Sequence, residues 1–588
     1  MPDIGPRQGE AFASGGGETP WGSLPWMLLD IARTRPDRPM LRHWRKGQGW
    51  QRLSWGEFAL GVASAAAWLR RAGVAPGDRV VLVSESRPEF NIADAALMAI
   101  GAVTVPTYAT NTEADHAHIL RDSGARMAIV SSPALAARVA KAAPEQLELL
   151  VGLDEMPPEG SAARVAHWPA LLAEPGDLPL LMAEVEQIPP GRLACLIYTS
   201  GTGGTPRGVM LPHRAMLANR DGVAALAKRL RLDGTVYLSF LPLSHSYEHT
   251  VGVFLLPSLG VEVVYSRGAD RLSAEFQEFQ PSIITAVPRL FEVLRGRMLA
   301  QLEKESPFRQ RLFRRAQELG LKRADEQRLS LKERVQDAVL DRLVRRKVRA
   351  RFGGHLQAMV CGGARLDPDL SGFFIGLGLP LIQGYGQTEA GPVIAVNPPW
   401  DNARRTVGYP LPGVEARLAE DGELLVRGPL VMDGYWRNPE ATAAAIRPLA
   451  PGEEPWLHTG DVARIEAGRI TITDRKRDFI KTLGGDMVSP AKLESLLMAE
   501  PEIAQAVVAG EGQPGVVALL VPAEGQEAAL AQAVSRVNAR LSNIERIRRW
   551  SVAPAAFTPE NGLLTPTMKV KRRAVLEHHA AAIAALYG

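Results

Sequence analysis

The segment Tyr198–Val209 reads YTSGTGGTPRGV. It gathers four Ser/Thr hydroxyls, four glycines and one cation, Arg207, directly after the apolar run LACLI. So little side-chain bulk lets backbone N–H groups come close to a ligand. Together with hydroxyls and a guanidinium they form a donor set suited to phosphate oxygens. The Walker loop does not fit, because Gly208 is followed by Val209 and Met210 where Lys and Ser/Thr are needed. The dinucleotide fingerprint starts at Gly201 and Gly203 but then meets Pro206. On this stretch alone, a flexible turn without a ligand stays open beside a phosphate cradle of another kind.

A cradle needs a strand before it and a scaffold around it. Short Val/Ile/Leu runs bounded by Gly, Pro and Asp alternate with helical patterns along the first third of the chain. Residues 77–86 predict a strand, 88–102 a helix, 103–108 a strand, 113–125 a helix and 126–130 a strand. The alternation argues α/β with largely parallel sheet, and the nearly all-apolar strands argue cover on both faces. The run TVGVFLLPSLGVEVVY (250–265) carries a Pro and a Glu and reads as core. After residue 475 the pattern becomes strand, turn, helix, strand, introduced by a charge cluster that suits an exposed hinge.

The chain's 588 residues exceed one simple core, so two or more domains are expected. The boundaries read as a disordered lead-in over 1–20, a large domain over 21–476 and a mobile C-terminal domain over 477–588. Net charge is +4, too small over this length to imply a polyanionic partner. Residues 295–351 differ, with 18 Lys/Arg against 8 Asp/Glu in a strongly helical composition. There Leu331, Val335, Ala338, Val339, Arg342 and Arg346 fall at helical spacing, and the outer face is expected to be basic. Three readings stay open for this insertion: a solvated helical excursion, a contact surface for anionic lipid, and nucleic acid. The last is disfavoured by the near absence of aromatic residues for stacking. Two cysteines, Cys195 and Cys361, exclude a disulfide framework and offer no metal spacing, which suits a reducing compartment. The N-terminus has no apolar h-region, and no run of 18 apolar residues occurs. A cytoplasmic protein is expected, in peripheral contact with the inner membrane face if the insertion binds lipid.

The stretch 198–216 resembles the phosphate loop of the adenylate-forming superfamily, which includes acyl-CoA synthetases, nonribosomal peptide adenylation domains and beetle luciferases. The family loop is usually Y-T-S-G-T-T-G-x-P-K-G-V. Here Gly203 stands for a Thr and Arg207 for the Lys, which keeps a cation but makes it a planar fork. Further motifs follow in the family's order: LPLSHSYEH (241–249), VPRLFE (287–292), CGGARL (361–366), QGYGQTEAGPVIAVN (383–397), WLHTGDVARI (456–465), DRKRDFIKTLGGDMVSP (474–490) and NGLLTPTMKVKRR (561–573). Upstream, residues 99–125 match as well, so the resemblance covers roughly 45–580. These forms and the 295–351 insertion look most like bacterial long-chain fatty acid CoA ligases.

The resemblance implies an α/β fold with a large N-terminal domain of doubly wound sheets, a small barrel-like subdomain, and a small α+β C-terminal domain on a hinge. It implies an AMP-forming ligase that activates a medium-to-long-chain fatty acid with ATP and passes the acyl group to the CoA thiol. Delivery to a carrier-protein thiol and a non-catalytic scaffold are the alternatives. Two anions must meet when a carboxylate attacks the α-phosphate, so positioned cations and N–H donors are the main need. Carried over residue by residue, Thr199, Ser200, Gly201, Thr202, Gly203, Gly204 and Arg207 cradle the leaving pyrophosphate. Gly363 and Ala364 lie beside adenine, on which Tyr385 stacks, next to Gly386. Thr388 bonds the α-phosphate, and Glu389 with Thr202 holds Mg²⁺. Asp461 and Arg475 hold the ribose. Lys569 neutralises charge during adenylation. Lys481 opens the segment, with Gly484 and Gly485, that lines the thiol tunnel in the second step, and Arg477 is the hinge residue. His245 is a candidate catalytic residue that reads equally as a satisfied loop histidine. Taken singly, Lys569 reads as a surface cation, Glu389 as a cap or ion-pair carboxylate, and Tyr385 as core.

Overall fold

A computed structural model describes residues 20–142, 145–154, 163–199, 205–476, 480–484, 486–558, 560–565 and 570–588. The expected lead-in, apart from Pro20, lies outside them. The alternation read from sequence is present: strands Arg79–Val83, Val103–Thr107 and Met127–Val130 enclose helices Pro88–Ala99 and Glu113–Ser123.

These strands belong to an eight-stranded sheet. Its order is Gly434–Tyr435, Arg207–Pro212, Leu193–Thr199, Val103–Thr107, Arg79–Val83, Met127–Val130, Leu149–Gly152, Arg164–His167. Pairing is parallel from Leu193–Thr199 to the far edge and antiparallel at the Arg207–Pro212 end. A nine-stranded sheet runs Tyr409–Pro410, Val393–Val396, Leu381–Gly386, Ala358–Cys361, Ile283–Ala286, Val236–Ser239, Glu262–Tyr265, Pro39–Arg45, Gly49–Ser54. Its middle is parallel and both ends are antiparallel. Helix Pro88–Ala99 touches strands of both sheets and is buried on every side, which is why its sequence shows no polar face. Its polar members are paired accordingly: Arg87 and Arg45 with Glu89, the Tyr265 hydroxyl with Asn91, and His249 with Asp94.

A five-stranded antiparallel sheet, built on Glu423–Arg427, Trp456–Glu466 and Arg469–Arg475, takes the place of the small subdomain expected to be barrel-like. Beyond it a hairpin, Ile480–Lys481 with Met487–Val488, leads into helix Pro490–Met498 and the sheet Ile503–Ala509, Val516–Pro522, Ile547–Val552. This C-terminal unit has an apolar cluster of its own, including Val488, Leu493, Leu497, Val508, Leu520 and Val534.

The basic insertion is three helical segments: Pro288–Glu303, Pro307–Ala324, and a run over 331–351 interrupted by a π-helical turn at Asp341–Arg345. The outer face is basic, but the apolar positions Leu331, Val335 and Val339 lie on it as well. The inner face is organised around a fully buried cation instead. Arg345 donates to the carbonyls of Ala316, Asp337 and Gly376 and to Oδ1 of Asp337 at 2.5 Å. Gly320 lets the helices meet, since a β-carbon there would stand 2.1 Å from the Gly376 carbonyl oxygen.

Candidate active site

A cleft of about 1630 Å³ opens where the strand ends of the large sheets, the five-stranded sheet and the C-terminal unit converge. Thr199, Arg207, His245, Gly363, Ala364, Tyr385, Gly386, Thr388, Glu389, Asp461 and Arg475 all line it. These residues span 276 positions of sequence, and the topology brings them to one place. Ser200, Gly201, Thr202, Gly203, Gly204, Arg477, Gly485 and Lys569 lie outside the described residues.

The opening segment is a hairpin. Strand Leu193–Thr199 returns antiparallel as Arg207–Pro212, with Thr199 paired to Arg207 at its mouth. Tyr198 anchors the base by donating its hydroxyl to Asp122 at 2.6 Å. Strand Gly434–Tyr435 pairs with the returning strand and lays the Tyr435 ring under the Arg207 guanidinium, 5.5 Å from its carbon to the ring centroid. The Tyr435 hydroxyl donates to Oε1 of Glu389 at 2.9 Å. Cation, ring and carboxylate therefore form one connected group. No motif marked Tyr435, and only strand pairing across more than two hundred residues places it.

Glu389 and Thr388 sit on a 3₁₀ turn that follows strand Leu381–Gly386. That turn projects into the cleft because the chain folds back tightly. A β-carbon on Gly386 would stand 1.9 Å from the Pro392 carbonyl oxygen, so only glycine fits. Thr388 Oγ1 lies 2.9 Å from Ser246 Oγ, which joins this turn to the one after His245. His245 Nδ1 accepts the Tyr247 N–H at 3.2 Å and so caps the short helical turn Ser246–Glu248 while still facing the cleft.

Opposite lies a second group. The Tyr385 hydroxyl donates to Oδ2 of Asp461 at 2.5 Å, and Arg475 Nε donates to Oδ1 at 3.0 Å. Asp461 and Arg475 face each other as a strand pair. Burial, reinforced by Asp461, pushes the Tyr385 hydroxyl well above its ordinary range, so it stays a proton donor. Next along the strand, Lys476 Nζ donates to Asp421 and, at 3.0 Å, to Glu423. Burial would raise the Glu423 carboxyl, but bonds from Lys476, the Gly460 N–H and His458 outweigh it and hold it low. Gly363, just past strand Ala358–Cys361, adopts φ +79°, a turn that a side chain would strain.

Part of the cleft lining is apolar. Val223, Leu226 and Leu230 from the region of helix His213–Ala227 line the cleft together with Val251, Leu255 and Leu259 from and just after the helical stretch that includes His249–Leu255. The sequence showed the latter only as core, since a wall of apolar side chains reads the same whether or not a space lies in front of it.

The C-terminal unit closes the cleft with one of its two motifs. Thr565 and Val570, which bracket the segment holding Lys569, line it along with Lys571 and Arg572. Lys481 and Gly484 are exposed and are not among the lining residues. Among the described residues no group of three His, Cys, Asp or Glu could hold a metal ion. Glu389 offers one carboxylate, oriented by Tyr435 and facing the cleft. That suits a hard cation bound by one carboxylate together with substrate phosphates. No helix among the described residues is long and apolar enough to cross a membrane.

Comparison with known proteins shows the family. The sequence profile of the AMP-binding enzyme family matches residues 28–436, and that of the AMP-binding enzyme C-terminal domain matches 477–588. Long-chain-fatty-acid–CoA ligase FadD15 of Mycobacterium tuberculosis is 34% identical over 95% of this chain and 96% of its own. The peroxisomal long chain acyl-CoA synthetase 7 of Arabidopsis thaliana is 29% identical over 91% of this chain and 81% of its own. Among solved structures, the Bacillus subtilis O-succinylbenzoate CoA synthetase in complex with AMP superposes with TM-score 0.69 at 20% identity, covering 93% of this chain and 97% of that one. ATP-bound MatB from Rhodopseudomonas palustris gives TM-score 0.67 at 21% identity, covering 95% and 99%. At those identities the structures speak for the fold.

Proposed function

Because this chain belongs to the AMP-binding enzyme family, we propose that it joins a medium-to-long-chain fatty acid to CoA through an acyl adenylate. The observation that carries this is the mixed polar and apolar lining of one cleft. It is lined by polar groups, among them Thr388, Glu389, Arg207, Tyr385, Asp461 and Arg475, and by apolar side chains, among them Val223, Leu226, Leu230, Val251, Leu255 and Leu259. A molecule with a carboxylate at one end and a hydrocarbon chain at the other matches such a lining. The names of the relatives, long-chain-fatty-acid CoA ligase and long chain acyl-CoA synthetase, support the same substrate class.

In the first step a carboxylate oxygen attacks the α-phosphorus of ATP, and the bond to pyrophosphate breaks. Arg207, with the loop 200–204, receives the charge of the leaving group, and Thr388 donates to the α-phosphate. Asp461 accepts from the ribose hydroxyls while Tyr385 and Arg475 fix its two oxygens. Lys569 approaches from the C-terminal unit and neutralises the carboxylate and phosphate as they meet. Glu389 and Thr202 would hold Mg²⁺, which when bound offsets the charge of the phosphates. In the second step the CoA sulfur attacks the acyl carbonyl and AMP leaves. Turning about Arg477, the C-terminal unit presents Lys481, Gly484 and Gly485 in place of the Lys569 segment.

Pyrophosphate release and acyl-CoA formation measured over acids of increasing chain length, with and without CoA, test the proposal. Acyl-CoA from medium and long acids is expected. Acyl-AMP that accumulates without acyl-CoA would assign the acceptor to a carrier-protein thiol, and no pyrophosphate with any acid would end the enzymatic reading. Lys569→Ala is expected to stop adenylation while ready-made acyl-AMP is still converted with CoA. Normal adenylation by that variant would refute the assignment.

A further inference from the structure

The helical run 331–351 exposes an apolar stripe that its own domain does not cover. Leu331, Val335, Val339 and Leu343 are 81, 67, 50 and 49% exposed. Their spacing of four residues places them along one side of the run. Around them Lys332, Arg334, Arg342, Arg346 and Lys347 are exposed, and none makes an ion pair among the described residues. The carboxylates of the same run are engaged elsewhere. Glu333 caps the helix with Ser330 and accepts from Lys322. Asp337 is held by Arg345 and Arg323, and Asp341 by Arg349. The exposed face thus offers four aliphatic side chains and five cations, while all three acids are paired.

We propose that this face docks the protein on an anionic lipid bilayer. Such a face matches a helix lying in the interface plane, with its stripe at the headgroup–acyl boundary and its cations among lipid phosphates. Other occupants fit less well. A second copy of the chain across a two-fold axis would bring five cations against five with no acid between them. Nucleic acid would meet aliphatic side chains where stacking rings are needed. The proposal stands apart from the catalytic reading, since no residue in it lines the cleft.

The test is flotation of the whole protein with vesicles of phosphatidylcholine alone or with about 30% phosphatidylglycerol, over a range of salt. Binding is expected on the anionic vesicles only, weakening as salt rises. Val335→Asp with Val339→Asp is expected to abolish it. Arg342→Ala with Arg346→Ala should weaken it by about fivefold per cation removed, or roughly 25-fold together. Conversion of a soluble medium-chain acid without vesicles should be unchanged in both variants, which reports that they fold. Equal capture by neutral vesicles would overturn the proposal. So would unchanged capture of the aspartate variant, a dimer that this variant abolishes in place of vesicle binding, or binding of a nucleic acid duplex in its stead.

Discussion

Glu248 gives a quantitative prediction. It follows Tyr247 just behind the cleft wall and is completely buried. Its Oε2 accepts the Tyr237 hydroxyl at 2.7 Å and Thr285 Oγ1 at 3.1 Å, and its Oε1 accepts Ser239 Oγ at 2.7 Å. Burial still dominates over those three donors, and the carboxyl is pushed from 4.5 up to about 7. In the unfolded chain it returns to its ordinary range. Between the two values the folded state holds a proton that the unfolded state has lost. The folded state therefore loses stability as pH rises through that window, by about 3 kcal/mol in all. Gln in place of Glu248 keeps the shape and cannot ionise, and the three hydroxyls around it can rotate to accept its amide protons. The measurement is thermal unfolding of wild type and Glu248→Gln from about pH 5 to about pH 8. Comparing the two cancels every other titrating group. The variant should gain about 3 kcal/mol on wild type across the range, roughly 3 °C for a unit the size of the large domain. Parallel pH profiles would refute the assignment of a neutral buried acid at this position.

Three further outcomes follow from the cleft. Tyr435→Phe removes the donor to Glu389 but keeps the ring under Arg207, and about a tenfold loss of kcat/KM for ATP with an altered magnesium dependence is expected in a pyrophosphate-release assay. Asp461→Asn halves the acceptor capacity that Tyr385 and Arg475 orient, and calorimetric titration should show AMP binding weakened by about 10- to 100-fold; unchanged affinity would move the ribose elsewhere. Val223→Trp adds bulk to the apolar lining, so acyl-CoA formation should shift toward shorter acids while ATP affinity stays as it was, and an unaltered chain-length profile would place the hydrocarbon away from Val223.

The sequence carried the parallel core clearly, because strands such as Arg79–Val83 are short, apolar and punctuated, and the intervening helices have their own period. It carried the positions of Tyr385, Glu389, Asp461 and Arg475 through motifs, although not their contacts. What stayed hidden has physical causes. Tyr435 joins the site only by strand pairing with a hairpin far upstream. Leu230 and Leu259 wall a space that composition cannot distinguish from solid core. The stripe Leu331–Val335–Val339 was visible as spacing, but its direction was not, because the inner face of that helix is claimed by Arg345. A buried guanidinium satisfied by backbone carbonyls leaves no periodic trace in sequence.

The clamp on Lys476 bears on how the small domain can turn. Two carboxylates, on Asp421 and Glu423, hold this residue to the five-stranded sheet one position before Arg477. On the rotation proposed above, this clamp would leave the ribose-side strand in place and confine the swing of the C-terminal unit to torsions beyond Lys476.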